Sequence, residues 1–173
     1  MRAFLVFVLG VVVGALVLAF VQVFLVPAPV IPAGSTGQGD LTILFRNDFL
    51  TRELQAAADQ LNSPIPLQGL TVTTNTTDNV IIRGTATLPR LNRQVPITIT
   101  VQPIVVQNRV AVQLVKADVG TLTIPGQFLH ALEDPLNQQL QRALNNQAYR
   151  ILRVTTTTDG VVVDVSVEGA ITP

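Results

Sequence analysis

The stretch QVPITITVQPIVVQNRVAVQLVKADV, residues 94–119, places an aliphatic side chain at nearly every second position and is interrupted at Gln107-Asn108. Alternation with period two sends successive side chains to opposite faces, so this is strand sequence with one apolar face. Val95, Ile97, Ile99 and Val101 alternate with Pro96, Thr98, Thr100 and Gln102; past the interruption, Val110, Val112 and Leu114 alternate with Ala111, Gln113 and Val115. Asn tolerates the positive φ that a tight turn demands, so Gln107-Asn108 predicts a two-residue hairpin. Arms of about 11 to 13 residues would reach roughly 40 Å, about twice a common strand length. Strands that long twist and coil, and they need something to wrap around.

Two helical patterns supply it. In NDFLTRELQAAADQLN, Leu50, Leu54, Ala57 and Leu61 recur as one apolar stripe, with Asn47 or Asp48 as N-cap and Pro64 and Pro66 as the stop. In TIPGQFLHALEDPLNQQLQRALNN, Leu129, Leu132, Leu136, Leu140 and Leu144 share a side, and Pro135 after Asp134 predicts a kink or two abutting helices. The expected helices cover about 48–62 and 127–146. Strands at about 68–75 and 79–88, the second with Val80, Ile82, Ala86 and Leu88 on one side, join the long hairpin in an antiparallel meander. LTILF reads as a short strand before the first helix. RILRVTTTT and VVVDVSVEG, joined by Asp159-Gly160, close the chain.

Residues 3–26, AFLVFVLGVVVGALVLAFVQVFLV, carry no charge. As a helix they would measure roughly 36 Å against a hydrocarbon core of about 30 Å, which predicts a transmembrane anchor. A cleaved signal peptide is the rival, with Ile31-Pro32-Ala33 before Gly34 as a poor cleavage site; its apolar region would run about 7 to 15 residues, shorter than this one. Arg2 is the sole side-chain cation before Arg46, so the amino terminus is expected in the cytoplasm and the rest of the chain outside the cell membrane. Gly10 and Gly14 spell G-x-x-x-G, a spacing that permits a weak homodimer through the span and is also ordinary membrane-helix composition. VPAPVIPAGSTGQGD is too rich in Pro, Gly and Ser for a helix or a central strand. The expected organisation is therefore an anchor at 1–26, a stalk at 27–40 and an extracytoplasmic domain at 41–173. The fold class follows as α+β: an N-terminal transmembrane helix, then a long curved antiparallel sheet wrapped around two amphipathic helices.

Composition narrows the function. Lys and Arg number 11 against 11 Asp and Glu, with no basic run, so nucleic acid is not an expected partner and strong attraction to anionic headgroups has no visible source. Without cysteine there is no disulfide and no thiolate metal site. His130 is the single histidine. It stands one helical turn from Asp134, the spacing of an acid-base pair, but a surface or capping histidine is the simpler reading. Glu133-Asp134 likewise reads as helix-terminus chemistry before a cation site. No serine sits in a nucleophile turn, and the chain has no Trp to stack on a sugar. Asn75-Thr76-Thr77 matches a glycosylation acceptor. The expectation is a protein that is not an enzyme and has no catalytic residues, metal or cofactor.

The order of anchor, stalk, LTILFRNDFLTREL, aliphatic meander, ADVGTLTIPGQFL, LEDPLNQQLQRAL and a final strand pair around TTDGVVVDV resembles the bacterial YpmS-like and LmeA-like envelope proteins, related in shape to tubular lipid-binding domains. The resemblance covers about residues 1–168, and its motifs are degenerate. It implies binding of phospholipid or another apolar molecule and supplies no catalytic motif. The expected groove walls are Val95, Ile97, Ile99, Val101, Val110, Val112 and Leu114 of the hairpin, with Leu50, Leu54, Leu132, Leu136 and Leu140 of the helices. If the helices fill that space, the same residues are a solid core and the domain is a scaffold that contacts a protein partner.

Overall fold

The computed structural model describes residues 41–60, 66–88, 93–144 and 149–167; the expected anchor and stalk lie outside these. Its elements are β1 (Leu41–Arg46), α1 (Asn47–Gln60), β2 (Leu67–Thr74), β3 (Val80–Leu88), β4 (Arg93–Val106), β5 (Arg109–Val119), β6 (Leu122–Thr123), α2 (Gly126–Leu144), β7 (Tyr149–Thr156) and β8 (Gly160–Val167). The protein is α+β, with two antiparallel sheets: five strands in the order β2-β3-β4-β5-β6 and three in the order β1-β8-β7. Among the described residues no helix is long and apolar enough to cross a membrane.

The long hairpin forms as its alternation dictates, with 14 residues in β4 and 11 in β5. Gln107 and Asn108 both adopt left-handed conformations, φ 51° and 61°. That is the two-residue hairpin geometry whose backbone twist matches the flanking strands. Two bulges interrupt the ladders of the five-stranded sheet. One puts Gly69 (φ 60°) and Leu70 opposite Gly84, and the other leaves Val115 unpaired between Lys116 and Leu114. Bulges bend a strand and increase its twist. Gly84 is small for a reason: a Cβ there would lie 2.5 Å from Leu70 Cδ2.

Three expectations change. The strands do not form one sheet, because β1 pairs with β8 along Leu41↔Val165 to Arg46↔Gly160, joining distant parts of the chain. The second helix is continuous from Gly126 to Leu144 through Pro135, with neither break nor partner helix. Asn47 opens α1, but its side chain reaches elsewhere: Nδ2 donates to the Thr158 carbonyl at 2.9 Å and Oδ1 accepts from Thr74 Oγ1 at 2.9 Å.

The three-stranded sheet lies across the hairpin tips of the larger one. Ile151 N–H of β7 donates to the Asn108 carbonyl at 3.0 Å, and Thr156 N–H donates to Asp78 Oδ1 at 3.3 Å in the β2–β3 turn. That turn is organised by Asn75, whose Oδ1 accepts from the N–H groups of Thr77 and Asn79 and from Thr77 Oγ1, so the acceptor-like Asn75-Thr76-Thr77 is turn chemistry here. One apolar cluster takes residues from both sheets: Ile82, Ile97, Ile99 and Val101 from the large one, and Phe45, Ile151, Val161, Val163 and Val165 from the small one.

Candidate functional site, the aliphatic face of the five-stranded sheet

Cross-strand register assembles the apolar face in rows: Val72, Ile82, Ile99 and Ala117; then Thr74, Val80, Val101 and Leu114; then Pro103 with Val112 and Val105 with Val110. Of the expected walls, Ile97, Ile99, Val101, Val110, Val112 and Leu114 line this face and are buried, as are Leu50 and Leu54 of α1. Val95 is half-buried and packs at the margin, where Val119 is also half-buried. Val105, next to the hairpin tip, is half-buried in the same way. The side chains of Leu132, Leu136 and Leu140 lie outside the described residues, as does Leu61.

Burial of Leu50, Leu54, Ala57 and Ala58 seats α1 against β2, and α2 packs on β5. Each helix runs antiparallel to an outer strand and hydrogen-bonds its backbone through side chains four residues apart. On α1, Thr51 Oγ1 accepts from Val72 N–H at 2.8 Å and Gln55 Oε1 accepts from Leu70 N–H at 3.1 Å. On α2, Glu133 Oε1 accepts from Leu114 N–H at 2.8 Å. Asn137 accepts from Val112 N–H at 2.7 Å and donates to its carbonyl at 3.0 Å, while Gln141 Nε2 donates to the Val110 carbonyl at 2.7 Å.

The spacing explains the match. Four helical residues rise about 6 Å, and two strand residues about 6.6 Å, so a helix laid along an edge meets every second backbone group for a few rungs. Sequence reading missed both ladders. Their signal was present: hydroxyl, amide or carboxylate side chains at 47, 51 and 55, and at 133, 137 and 141, flanking an apolar stripe.

The His130–Asp134 pairing that helical spacing permits is not the one formed. His130 Nδ1 lies 3.1 Å from Glu133 Oε2, and the other oxygen of Glu133 is committed to Leu114. The histidine itself is exposed. The Glu133 carboxylate thus links the exposed histidine to the backbone of β5. Among the described residues no group of three or more acidic or histidine side chains is placed to hold a metal ion. Asp164 is buried in the small sheet, where it accepts from Thr42 Oγ1 at 2.6 Å and Arg153 Nε at 3.0 Å.

Compared with protein-family models, with curated proteins and with solved structures, the chain matches none.

Proposed function

We propose that the protein is a membrane-anchored, extracytoplasmic domain that binds an acyl chain of phospholipid, or a similar apolar molecule, along the aliphatic face of the five-stranded sheet. The reading places the apolar segment 3–26 across the membrane and lets the sheet curve around helices and ligand together. One observation carries it. Both helices are fastened at the outer strands by polar side chains, while the middle of the face between them is wholly aliphatic across β3, β4 and β5.

Fastening by side-chain hydrogen bonds matters because water replaces such bonds at a net cost of about 1 kcal/mol each. Moving such a helix off the edge exposes the aliphatic strip beneath together with its own buried stripe, Leu50 and Leu54 on α1, and an entering acyl chain would replace that lost burial. An entering chain would gain roughly 0.8 kcal/mol per buried methylene and needs no charged partner. The resemblance to the tubular lipid-binding domains points the same way.

The burial of Ile97, Ile99, Val101 and Val110 favours a second reading, in which the helices fill the face and the domain is a non-catalytic envelope scaffold for a protein partner. Native mass spectrometry of the domain purified without detergent separates the two. Acyl chains recovered near one per molecule, and exchanged on exposure to liposomes, are the expected result. A folded, empty monomer that takes up no lipid from liposomes would sink the lipid reading in favour of the scaffold.

A further inference from the structure

The topology gathers at one corner what the sequence keeps apart. The bond from Ile151 N–H to the Asn108 carbonyl fixes β7 against the tip of the long hairpin. Beside it stand two exposed aliphatic side chains, Val106 at 49% and Leu152 at 39%. Leu152 is exposed by design of the ladder: it is the extra residue of a bulge between Ile151 and Arg153, and such a residue is released from pairing. Three arginines are interleaved with them. Arg109 is paired directly across from Val106, while Arg150 and Arg153 flank Ile151 and Leu152 along β7. Asp164 is the carboxylate that register places beside them, and Arg153 holds it while keeping most of its own side chain in water.

Register also fixes where the chain enters. Leu41 pairs with Val165, and Val165 pairs with Ile151. The preceding residues therefore join the domain two strands from Ile151, roughly 10 Å away at the usual strand spacing. Those residues contain the apolar segment 3–26. Leu41, the first described residue, therefore lies near the corner with the aliphatic tips and arginines.

We propose that this corner is a docking patch for an anionic bilayer surface, with Val106 and Leu152 entering the headgroup layer, Arg109 facing lipid phosphates, and the exposed part of Arg153 beside it. The tether geometry rests on the membrane-anchor reading. The patch chemistry does not. Two aliphatic side chains, Arg109 and an Arg153 shared with Asp164 make a weak site alone, but a short tether raises the effective concentration of the surface to the millimolar range, where weak contacts suffice. Docking at the tip points the opposite end of β4, roughly 45 Å away for its 14 residues, out of the membrane plane.

The chain has no cysteine, so one introduced cysteine takes a label uniquely. Full-length protein carrying Val106→Cys, Leu152→Cys or the distant control Gln94→Cys, each bearing an environment-sensitive fluorophore, is mixed with phosphatidylcholine vesicles with and without about 30% phosphatidylglycerol. The fluorophores at 106 and 152 should shift to the blue in anionic vesicles and be quenched by spin-labelled lipid, while that at 94 stays in water. Arg109→Glu should weaken the response by at least about fivefold at low salt. Equal response at all three positions, response indifferent to phosphatidylglycerol and to Arg109→Glu, or a blue shift without vesicles that reports protein contact would each overturn the proposal. Carbonate extraction scores the anchor separately. Protein stripped by carbonate that still gives the anionic-lipid response rejects the anchor and retains the patch.

Discussion

The two sheets face the same hazard, an outer strand with unpaired backbone groups that invites a neighbouring chain, and they cover it with different material. The five-stranded sheet uses side chains: α1 lays Thr51 and Gln55 on β2, and α2 lays Glu133, Asn137 and Gln141 on β5. The three-stranded sheet uses turns: the carbonyl of Asn108 and the carboxylate of Asp78 meet β7. The lesson is mechanical. A turn is fixed by backbone and yields only when backbone is displaced, whereas a side-chain ladder can be removed one rung at a time and can release as a unit.

The backbone-built half should be the more fragile to a single methyl. Gly160 pairs with Arg46, and a Cβ there would overlap the Phe45 carbonyl, a contact no side-chain rotation relieves. The same residue accepts from Thr157 N–H at 2.8 Å, and its neighbour Asp159 accepts from Asn47 N–H at 2.9 Å, so β8 cannot shift without disturbing both. Gly160→Ala is expected to cost about 3 kcal/mol or more in urea unfolding. A loss below about 1 kcal/mol would show that the small sheet is the more yielding of the two.

The side-chain ladders rank below that. Asn137→Leu removes one donor and one acceptor and leaves both backbone groups of Val112 without their partner. About 2–3 kcal/mol is expected, since orphaned groups cost more than the bonds that satisfied them contributed. Thr51→Val keeps the shape but deprives only Val72 N–H, and about 1 kcal/mol is expected. Amide exchange sharpens the comparison: Asn137→Leu should speed exchange at Val112 and Leu114 and leave Val72 unchanged, and Thr51→Val should do the reverse. If either variant loosens both edges equally, the helices are one cooperative unit.

That division also marks what the sequence disclosed. The meander was legible because each pairing in it is local: period-two alternation set the faces, and Gln107-Asn108 set the turn. The pairing of β1 with β8 was not, since LTILF and VVVDV carry no mark that chooses each other over another aliphatic strand. Pro135 misled because loss of one N–H and local crowding, which can break a helix, were tolerated in α2, whose flanking Glu133 and Asn137 are tied to β5. Of the residues expected as walls on β4 and β5, all but the half-buried Val95 are buried, and hydropathy alone does not distinguish a lining from a filled core. The arginine corner was invisible because Arg109 belongs to β5 and Arg153 to β7, strands distant in sequence that come together at the Asn108 turn.

The smallest expected effect lies where α2 stops covering β5 and the two-residue β6 takes over. Asp118, paired with Thr123, holds that addition by accepting from Thr123 Oγ1 at 2.6 Å while Lys116 Nζ lies 2.8 Å from its other oxygen. The hydrogen bond from Lys116 first, and that from Thr123 second, hold the Asp118 carboxyl below its ordinary range. A folded value below the unfolded one means that the ionised form stabilises the fold. That contribution is complete above the unfolded value of about 3.9 and is lost as pH falls through the lower folded value. Asp118→Asn should therefore lower stability by a small and constant amount from about pH 7 to about pH 5, with the gap to the parent protein narrowing below about pH 4. The reading is best taken at Ile124, whose N–H donates to the Ala117 carbonyl at 2.8 Å where the chain leaves β6 for α2. A gap as wide at pH 3 as at pH 7 would mean that β6 is held by side-chain shape and not by the carboxylate's charge, and the large sheet's last edge would then resemble the turn-built edge of the small one.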